Sequence, residues 1–144
     1  MAQSNESALV SLSQAYADSV RRGDADAWGA LWTDGAVWVL GPGREIVGKE
    51  AIVATWRQSL AKYSRVVQLY LSSSFQIDGD TASGRLQLVE LIEVADGTRR
   101  ILAGHYDDQY VHAGGAWRFS GRALTQYYAG PPDLGGAFFT PLSG

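Results

Sequence analysis

The 144-residue sequence has no cysteine, only one methionine and only four prolines. The absence of cysteine excludes disulfide bonds, thiol nucleophiles and zinc sites with thiolate ligands. No apolar run approaches the ~20 residues that a membrane-spanning helix requires, so we expect no membrane partner. Residues 1–7 contain neither a basic segment nor an apolar core. We therefore expect no signal peptide and a cytoplasmic location.

Charge is also scarce, and no single sign dominates. Charged residues make up 19% of the chain, the formal net charge is -3, and the isoelectric point is near 5.2. This balance offers no basic face for a nucleic-acid partner. Hydrophobic residues make up 46% of the chain, enough for a core with an internal cavity. We expect one domain over residues 1–144, in which 130–144 form a C-terminal tail rich in proline and glycine.

Apolar spacing predicts helices first and strands afterwards. Helical intervals predict a helix over 6–22 that ends at Gly23, a short helix capped by Asp24, and a third helix after a strand over 36–40. From Val66 onward the apolar period falls to two. Strands are predicted over 66–77, 81–94, 99–112 and 116–128, the last two joined by a tight turn at Gly114 and Gly115. The predicted class is α+β, with helices packed on a strongly curved, mainly antiparallel sheet.

Two stretches carry a family resemblance. Residues 16–38 run from Tyr16-Ala-Asp-Ser-Val through Leu31-Trp-Thr-Asp-Gly-Ala-Val-Trp38, and the final hairpin contains Ala116-Trp-Arg-Phe-Ser-Gly-Arg122. Over residues 8–128 the chain resembles the SnoaL-like domains of the nuclear transport factor 2-like superfamily, in particular their scytalone dehydratase-like and hexachlorocyclohexane dehydrochlorinase-like members. The resemblance implies a cone-shaped α+β barrel with a deep pocket, a homodimer or homotrimer, a small hydrophobic ligand and no cofactor.

The resemblance also implies a catalytic set that this chain only partly retains. In members with known chemistry a pocket histidine takes a proton, an aspartate orients it, and an arginine on the last strand helps to hold the leaving group. The arginine position falls on Arg122, but the histidine falls on Gln68 and the aspartate on Arg21. An amide has no proton equilibrium near neutral pH, so Gln68 cannot be the base. A small alignment shift would instead bring Asp24 into the pocket, and that alternative stays open.

Glu90 is the first candidate for a replacement base. It shares strand parity with Leu86, Leu88 and Ile92, so we expect it in an apolar wall, where loss of solvation raises the pKa of a carboxyl group. The alternative is an edge-exposed glutamate or one that is paired with Arg122.

Asp108 is the second candidate base, because it shares parity with Tyr106 on the neighbouring strand. Its alternative is a solvated acid at a strand end. Tyr106 either donates a hydrogen bond to the ligand or simply fills the core. Arg122 needs a partner if buried, which is either an oxygen-rich substrate or a protein carboxylate.

Aromatic residues predict the rest of the ligand site. Trp28, Trp32 and Trp38 are expected to roof the cavity, with plain core packing as the alternative for each. The further substrate-binding candidates are Tyr16, Tyr70, Leu88 and Asp24. No metal site is expected, because His105 and His112 lie seven residues apart on one strand and therefore on opposite faces.

These observations predict a cofactor-independent lyase or isomerase acting on a small hydrophobic molecule that is aromatic or polycyclic. Its reaction would be proton abstraction followed by elimination, carbon–carbon cleavage or isomerisation. A carboxylate of Glu90 or Asp108 would take the proton, while Arg122, with Tyr106 or Gln68, would stabilise the oxyanion. A non-catalytic binding module, a dioxygenase-type partner subunit and an epoxide hydrolase on the same fold are the alternatives.

Overall fold

The computed structural model describes residues 4–139 of the chain. Its helices are α1 (Asn5–Arg22), α2 (Ala25–Gly29) and α3 (Lys49–Leu60). Its strands are β1 (Trp32–Val39), β2 (Glu45–Val47), β3 (Tyr63–Asp78), β4 (Thr81–Val94), β5 (Arg99–Ala113), β6 (Ala116–Gly130) and β7 (Ala137–Phe138). The predicted three helices and four long strands are present, so the α+β class is confirmed.

The helix boundaries follow from local capping. The Ser4 hydroxyl accepts a hydrogen bond from the Ser7 N–H at 3.1 Å and starts α1. Gly23 ends α1 with a left-handed φ of 66°, a conformation that glycine adopts at little cost. The exposed Asp24 carboxylate accepts from the Ala27 N–H at 3.0 Å and caps α2. The expectation that Asp24 lies in the pocket is therefore wrong, because its side chain serves a helix end on the surface.

The sheet is mixed and curled, and it does not close. Its order is β2-β1-β6-β5-β4-β3, with β7 paired to β6 at the side. Strands β1 and β6 run parallel, and all the other pairs are antiparallel. The three helices pack on the inner face, and α1 lies against β3 and β6. The inner face therefore carries both the core and any site enclosed by the cone.

One irregularity in the β5–β6 hairpin decides which side chains point inward. Gly114–Gly115 both have positive φ, 61° and 79°, and form the predicted tight turn. From the turn to the Tyr110–Phe119 pair the register is regular, and beyond it a bulge at Ser120 shifts the register by one residue. The bulge moves Arg122 onto the same inner face as Phe119, and both side chains are buried.

Two short strands were not predicted. β2 lies between the predicted first strand and the predicted third helix, and β7 is a two-residue edge strand in the tail. Residues 140–144 of the predicted tail lie outside the described residues. Between residues 4 and 139, none of the helices combines the length and apolar character needed to cross a membrane.

Candidate active site

A buried ion pair lies at the centre of the inner face. Arg122 Nε donates to Asp108 Oδ1 at 2.7 Å, and Arg122 Nη2 donates to Asp108 Oδ2 at 3.0 Å. Both side chains are 0% exposed. Tyr110 adds a third hydrogen bond, from its hydroxyl to Asp108 Oδ2 at 2.7 Å. The fork geometry and the full burial identify a strong bidentate pair.

Aromatic rings enclose the cation of this pair. The Arg122 guanidinium carbon lies 3.9 Å from the Tyr106 ring centroid, 4.3 Å from that of Tyr16 and 4.5 Å from that of Phe119. These distances are within the range of cation–π attraction. The Arg122 side chain has no exposed surface, so a ligand cannot reach it directly. Of the two readings for Arg122, the structure shows the protein ion pair.

A chain of hydrogen bonds runs outward from Arg122. Arg122 Nη1 donates to the Tyr70 hydroxyl at 3.1 Å, and Tyr70 donates to Gln68 Oε1 at 2.8 Å. Gln68 Nε2 in turn donates to Glu90 Oε2 at 2.6 Å and to the Tyr106 hydroxyl at 3.2 Å. The structure thus brings together the predicted candidates Gln68, Glu90, Tyr106 and Arg122.

Glu90 stands apart from the other acids of the chain. Its partner across β3 and β4 is Gln68, with which it is in register, and it has no ion pair with Arg122. Burial raises the pKa of Glu90, and the hydrogen bond from Gln68 offsets part of that rise. Among the described residues, Oε1 of Glu90 has no hydrogen-bond partner. That oxygen is free to accept a proton from a ligand.

The inner face opens to solvent at the Glu90 end. Glu90, Leu102 and Leu124 share this face and are half-buried, whereas Tyr106 and Arg122 are buried. Burial keeps the pKa of the Tyr106 hydroxyl well above its usual range, so this phenol remains neutral. Its oxygen accepts from Gln68, and within residues 4–139 its own proton has no assigned acceptor.

A cavity of about 520 Å³ adjoins the hydrogen-bonded chain at Gln68 and Tyr70, and Glu90, Tyr106 and Arg122 do not line it. It lies between α1, which contributes Ser13 and Gln14, and β3, which contributes Gln68 and Tyr70. Leu86 and Phe75 add apolar surface. Its volume is typical of sites for small organic molecules.

The tryptophan prediction fails in part. Trp28 and Trp32 are 0% exposed and Trp38 is 6% exposed, and none of the three lines the cavity between α1 and β3. They pack on one another with ring centroids 5.4–6.2 Å apart, and Trp28 stacks on Trp56 at 4.6 Å. The three tryptophans that were expected to cover the cavity therefore belong to the hydrophobic core, because their rings fill the space between α2, α3 and β1.

The remaining predicted residues take supporting positions. Tyr16 is buried, contacts Trp28 and Trp32, and covers Arg122 with its ring. Leu88 is buried on β4 beside Tyr70 of β3. Asp108 is the buried partner of Arg122 and not a solvated acid at a strand end.

The two histidines lie outside this site. His105 is on the outer face of β5, where Nδ1 lies 2.6 Å from the Tyr127 hydroxyl and Nε2 lies 3.1 Å from Asp107 Oδ2. His112 packs its ring on Trp117. Across residues 4–139 no group of three or more histidine, aspartate or glutamate side chains has a geometry that could hold a metal ion.

Sequence reasoning missed the pairing of Asp108 with Arg122 and the bridging role of Tyr70. A regular hairpin around Gly114–Gly115 would place Asp107 opposite Arg122, so the correct partner depends on the bulge at Ser120. No signal in the sequence marks that bulge. The link from Tyr70 to Gln68 was within reach, because both share the inward parity of β3.

Comparison with solved structures finds the same fold in proteins of low identity. A proposed scytalone dehydratase from Novosphingobium aromaticivorans is 16% identical, with a TM-score of 0.85 over 95% of this chain and 93% of that chain. A hexachlorocyclohexane dehydrochlorinase, LinA type 2, is 19% identical, with a TM-score of 0.81 over 94% and 93%. A proposed aromatic ring hydroxylase from N. aromaticivorans is 26% identical, with a TM-score of 0.79 over 95% and 90%.

Comparison with curated proteins finds no match. Comparison with protein families matches the SnoaL-like domain over residues 4–123, which is most of the chain. Proteins described as dehydratase and dehydrochlorinase enzymes are among its structural neighbours. The predicted family is therefore confirmed, and the chain belongs to the SnoaL-like domain family.

Proposed function

We propose that the chain is a cofactor-independent lyase or isomerase that removes a proton from a carbon atom of a small hydrophobic molecule. The observation that carries the proposal is Glu90, a half-buried carboxylate that is held through one oxygen by Gln68 and, within residues 4–139, has no partner at the other. A carboxylate whose pKa is raised by burial is a stronger base than an ordinary surface glutamate. A non-catalytic pocket gains nothing from the cost of burying such a group.

Tyr106 supplies the complementary donor. Gln68 Nε2 donates to both Glu90 and Tyr106, so their side-chain oxygens lie around the same nitrogen. As Glu90 takes a proton from carbon, Tyr106 donates its own hydrogen bond to the ligand oxygen on which negative charge develops. The Arg122 cation beneath the Tyr106 ring stabilises that charge without touching the ligand.

Two alternatives differ in what they require of the same residues. A non-catalytic binding module is favoured by the replacement of the family's histidine by Gln68 and of its aspartate by Arg21. Epoxide hydrolysis on this fold needs an aspartate–arginine–aspartate arrangement, in which two carboxylates bind the same arginine. In the described part of the chain, Arg122 pairs with Asp108 and gives its remaining hydrogen bond to Tyr70. That pattern favours proton abstraction.

The proposal is tested with 5-nitrobenzisoxazole, a flat aromatic probe that needs only a base. Glu90 takes the proton on C3, the electron pair of that C–H bond forms the third bond of a nitrile, and the N–O bond breaks to release a cyanonitrophenolate whose absorbance is followed. We expect catalysis by the unmodified chain, and a loss on the order of 100-fold or more in Glu90→Gln.

Glu93→Gln is the matched control, because Glu93 lies on the same strand, faces outward and bonds to Ser64 and Arg99. This control and His105→Ala should retain the rate, with circular dichroism showing that all variants are folded. A Glu90→Gln variant as fast as the unmodified chain would overturn the assignment of the base. An inactive unmodified chain that still binds 2-naphthol, detected by tryptophan quenching, would favour the binding module.

A further inference from the structure

The hydrogen-bonded chain that ends at Glu90 runs in one direction in the structure, from the donor Arg122 to the acceptor Glu90. Arginine has donors and no acceptor, so the Tyr70 oxygen must accept from Arg122. The Tyr70 proton is then free to point to Gln68 Oε1, at 2.8 Å. With its carbonyl oxygen occupied on that side, Gln68 must present its NH₂ group to Glu90. The orientation of a side-chain amide, ordinarily ambiguous, is here fixed by a permanent cation two hydrogen bonds away.

We propose that Tyr70 and Gln68 are positioning residues, which fix the Gln68 amide so that Oε2 of Glu90 is held and Oε1 is the oxygen that takes the proton. This inference rests on the proposed role of Glu90 as the base. Because Arg122 is paired with Asp108 through two hydrogen bonds, the start of the chain is itself rigid. The arginine thereby acts on the base through Tyr70 and Gln68, without contact with the ligand.

The consequence is a defined effect on the ionisation of Glu90. The Gln68 N–H stabilises the carboxylate form and opposes the effect of burial on the Glu90 pKa. Among residues 4–139, the other ionisable groups that interact electrostatically with Glu90 are the phenols of Tyr16 on α1 and Tyr106 on β5, and both are neutral because burial raises their pKa values. Loss of Tyr70 would let the amide turn its oxygen toward Glu90, which disfavours the carboxylate.

The experiment is the pH dependence of 5-nitrobenzisoxazole elimination in Tyr70→Phe, in Gln68→Met and in the double variant. The rate should rise with pH as Glu90 ionises. We expect the midpoint of that rise to move to higher pH in each variant, with a several-fold loss of rate at neutral pH. The double variant should shift no further than Gln68→Met alone, because both residues act through one path.

Tyr127→Phe is the control, since Tyr127 lies on the outer face beside His105. A purely structural role for Tyr70 would lower the rate at every pH and leave the midpoint unmoved, and that result would overturn the inference. The inference would also be overturned if the midpoint shift of the double variant equalled the sum of the shifts in Tyr70→Phe and Gln68→Met. If Glu90→Gln keeps the rate of the unmodified chain, the proposed function itself has failed. If Glu90→Gln is inactive but Tyr70→Phe keeps its midpoint, only the positioning role is lost.

Discussion

Replacing Arg122 by methionine removes one half of an ion pair whose two side chains have no exposed surface. The remaining Asp108 carboxylate keeps the Tyr110 hydroxyl as a partner but loses both N–H donors. An uncompensated buried charge of this kind costs about 3–5 kcal/mol. Since domains are stable by only about 5–15 kcal/mol, the loss takes a large share of the free energy of unfolding.

A second variant separates the unpaired charge from the lost packing. When Asp108→Leu accompanies Arg122→Met, no buried charge remains, and replacement of a whole buried pair by apolar groups is often nearly neutral. The hydroxyls of Tyr70 and Tyr110 each lose one partner in this double variant, at about 1 kcal/mol apiece. We therefore expect the double variant to be destabilised by about 2 kcal/mol, less than Arg122→Met alone.

The assay is urea unfolding followed by tryptophan fluorescence, for which the five tryptophans are suited. With a urea dependence of about 2 kcal/mol per molar, Arg122→Met should lower the unfolding midpoint by roughly 2 M. Arg85→Met is the control, because Arg85 and Asp107 form an ion pair at 2.9 Å with side chains 59% and 47% exposed. It should cost about 1 kcal/mol or less. Equal midpoints for Arg122→Met and Arg85→Met would refute the reasoning.

Two further predictions concern the sheet. Ser120 is the extra residue of the bulge, so its deletion should leave Phe119 opposite Tyr110 and Arg122 opposite Asp108 on the inner face, and cooperative unfolding in urea should be kept; loss of the cooperative transition in the deletion variant would contradict this. We also propose that the outer face, with Leu69 48% and Leu91 43% exposed, joins copies of the chain. Sedimentation velocity should show a dimer or trimer that Leu91→Arg converts to monomer, and a monomeric unmodified chain would contradict the proposal.

The sequence predicts the elements well because each long strand is bounded by a glycine turn and alternates regularly. Strand parity on β4 is equally informative: Glu90 does share the inner face with Leu86 and Leu88, as expected from their spacing. Parity fails where a bulge intervenes, since Phe119 and Arg122 are three residues apart and would otherwise face opposite sides. A bulge is settled by packing across strands, which local sequence does not record.

The tryptophans show a second limit. The number of tryptophans indicates a large aromatic surface, but it does not tell whether a given ring borders a cavity or fills the core. Here Trp28 packs on Trp32, Trp38 and Trp56, and the buried indole nitrogens of Trp28, Trp32 and Trp38 have no hydrogen-bond partner among the described residues. That arrangement depends on how α2 and α3 pack against β1, which only the structure shows.

The family's catalytic histidine and aspartate are replaced in this chain, but the inner face still carries polar and ionisable side chains. Gln68 falls at the position that the family resemblance assigns to the catalytic histidine, and from there its amide reaches Glu90 on the next strand. The direction of that contact is set by Arg122, the one position of the family's catalytic set that is retained. A residue whose role in relatives is to hold the leaving group can thus be kept here for a different reason: fully enclosed, it orients an amide, and the amide orients the carboxylate. Under the proposed function, the base therefore lies on β4, one strand away from Gln68, while the arginine keeps its position on β6.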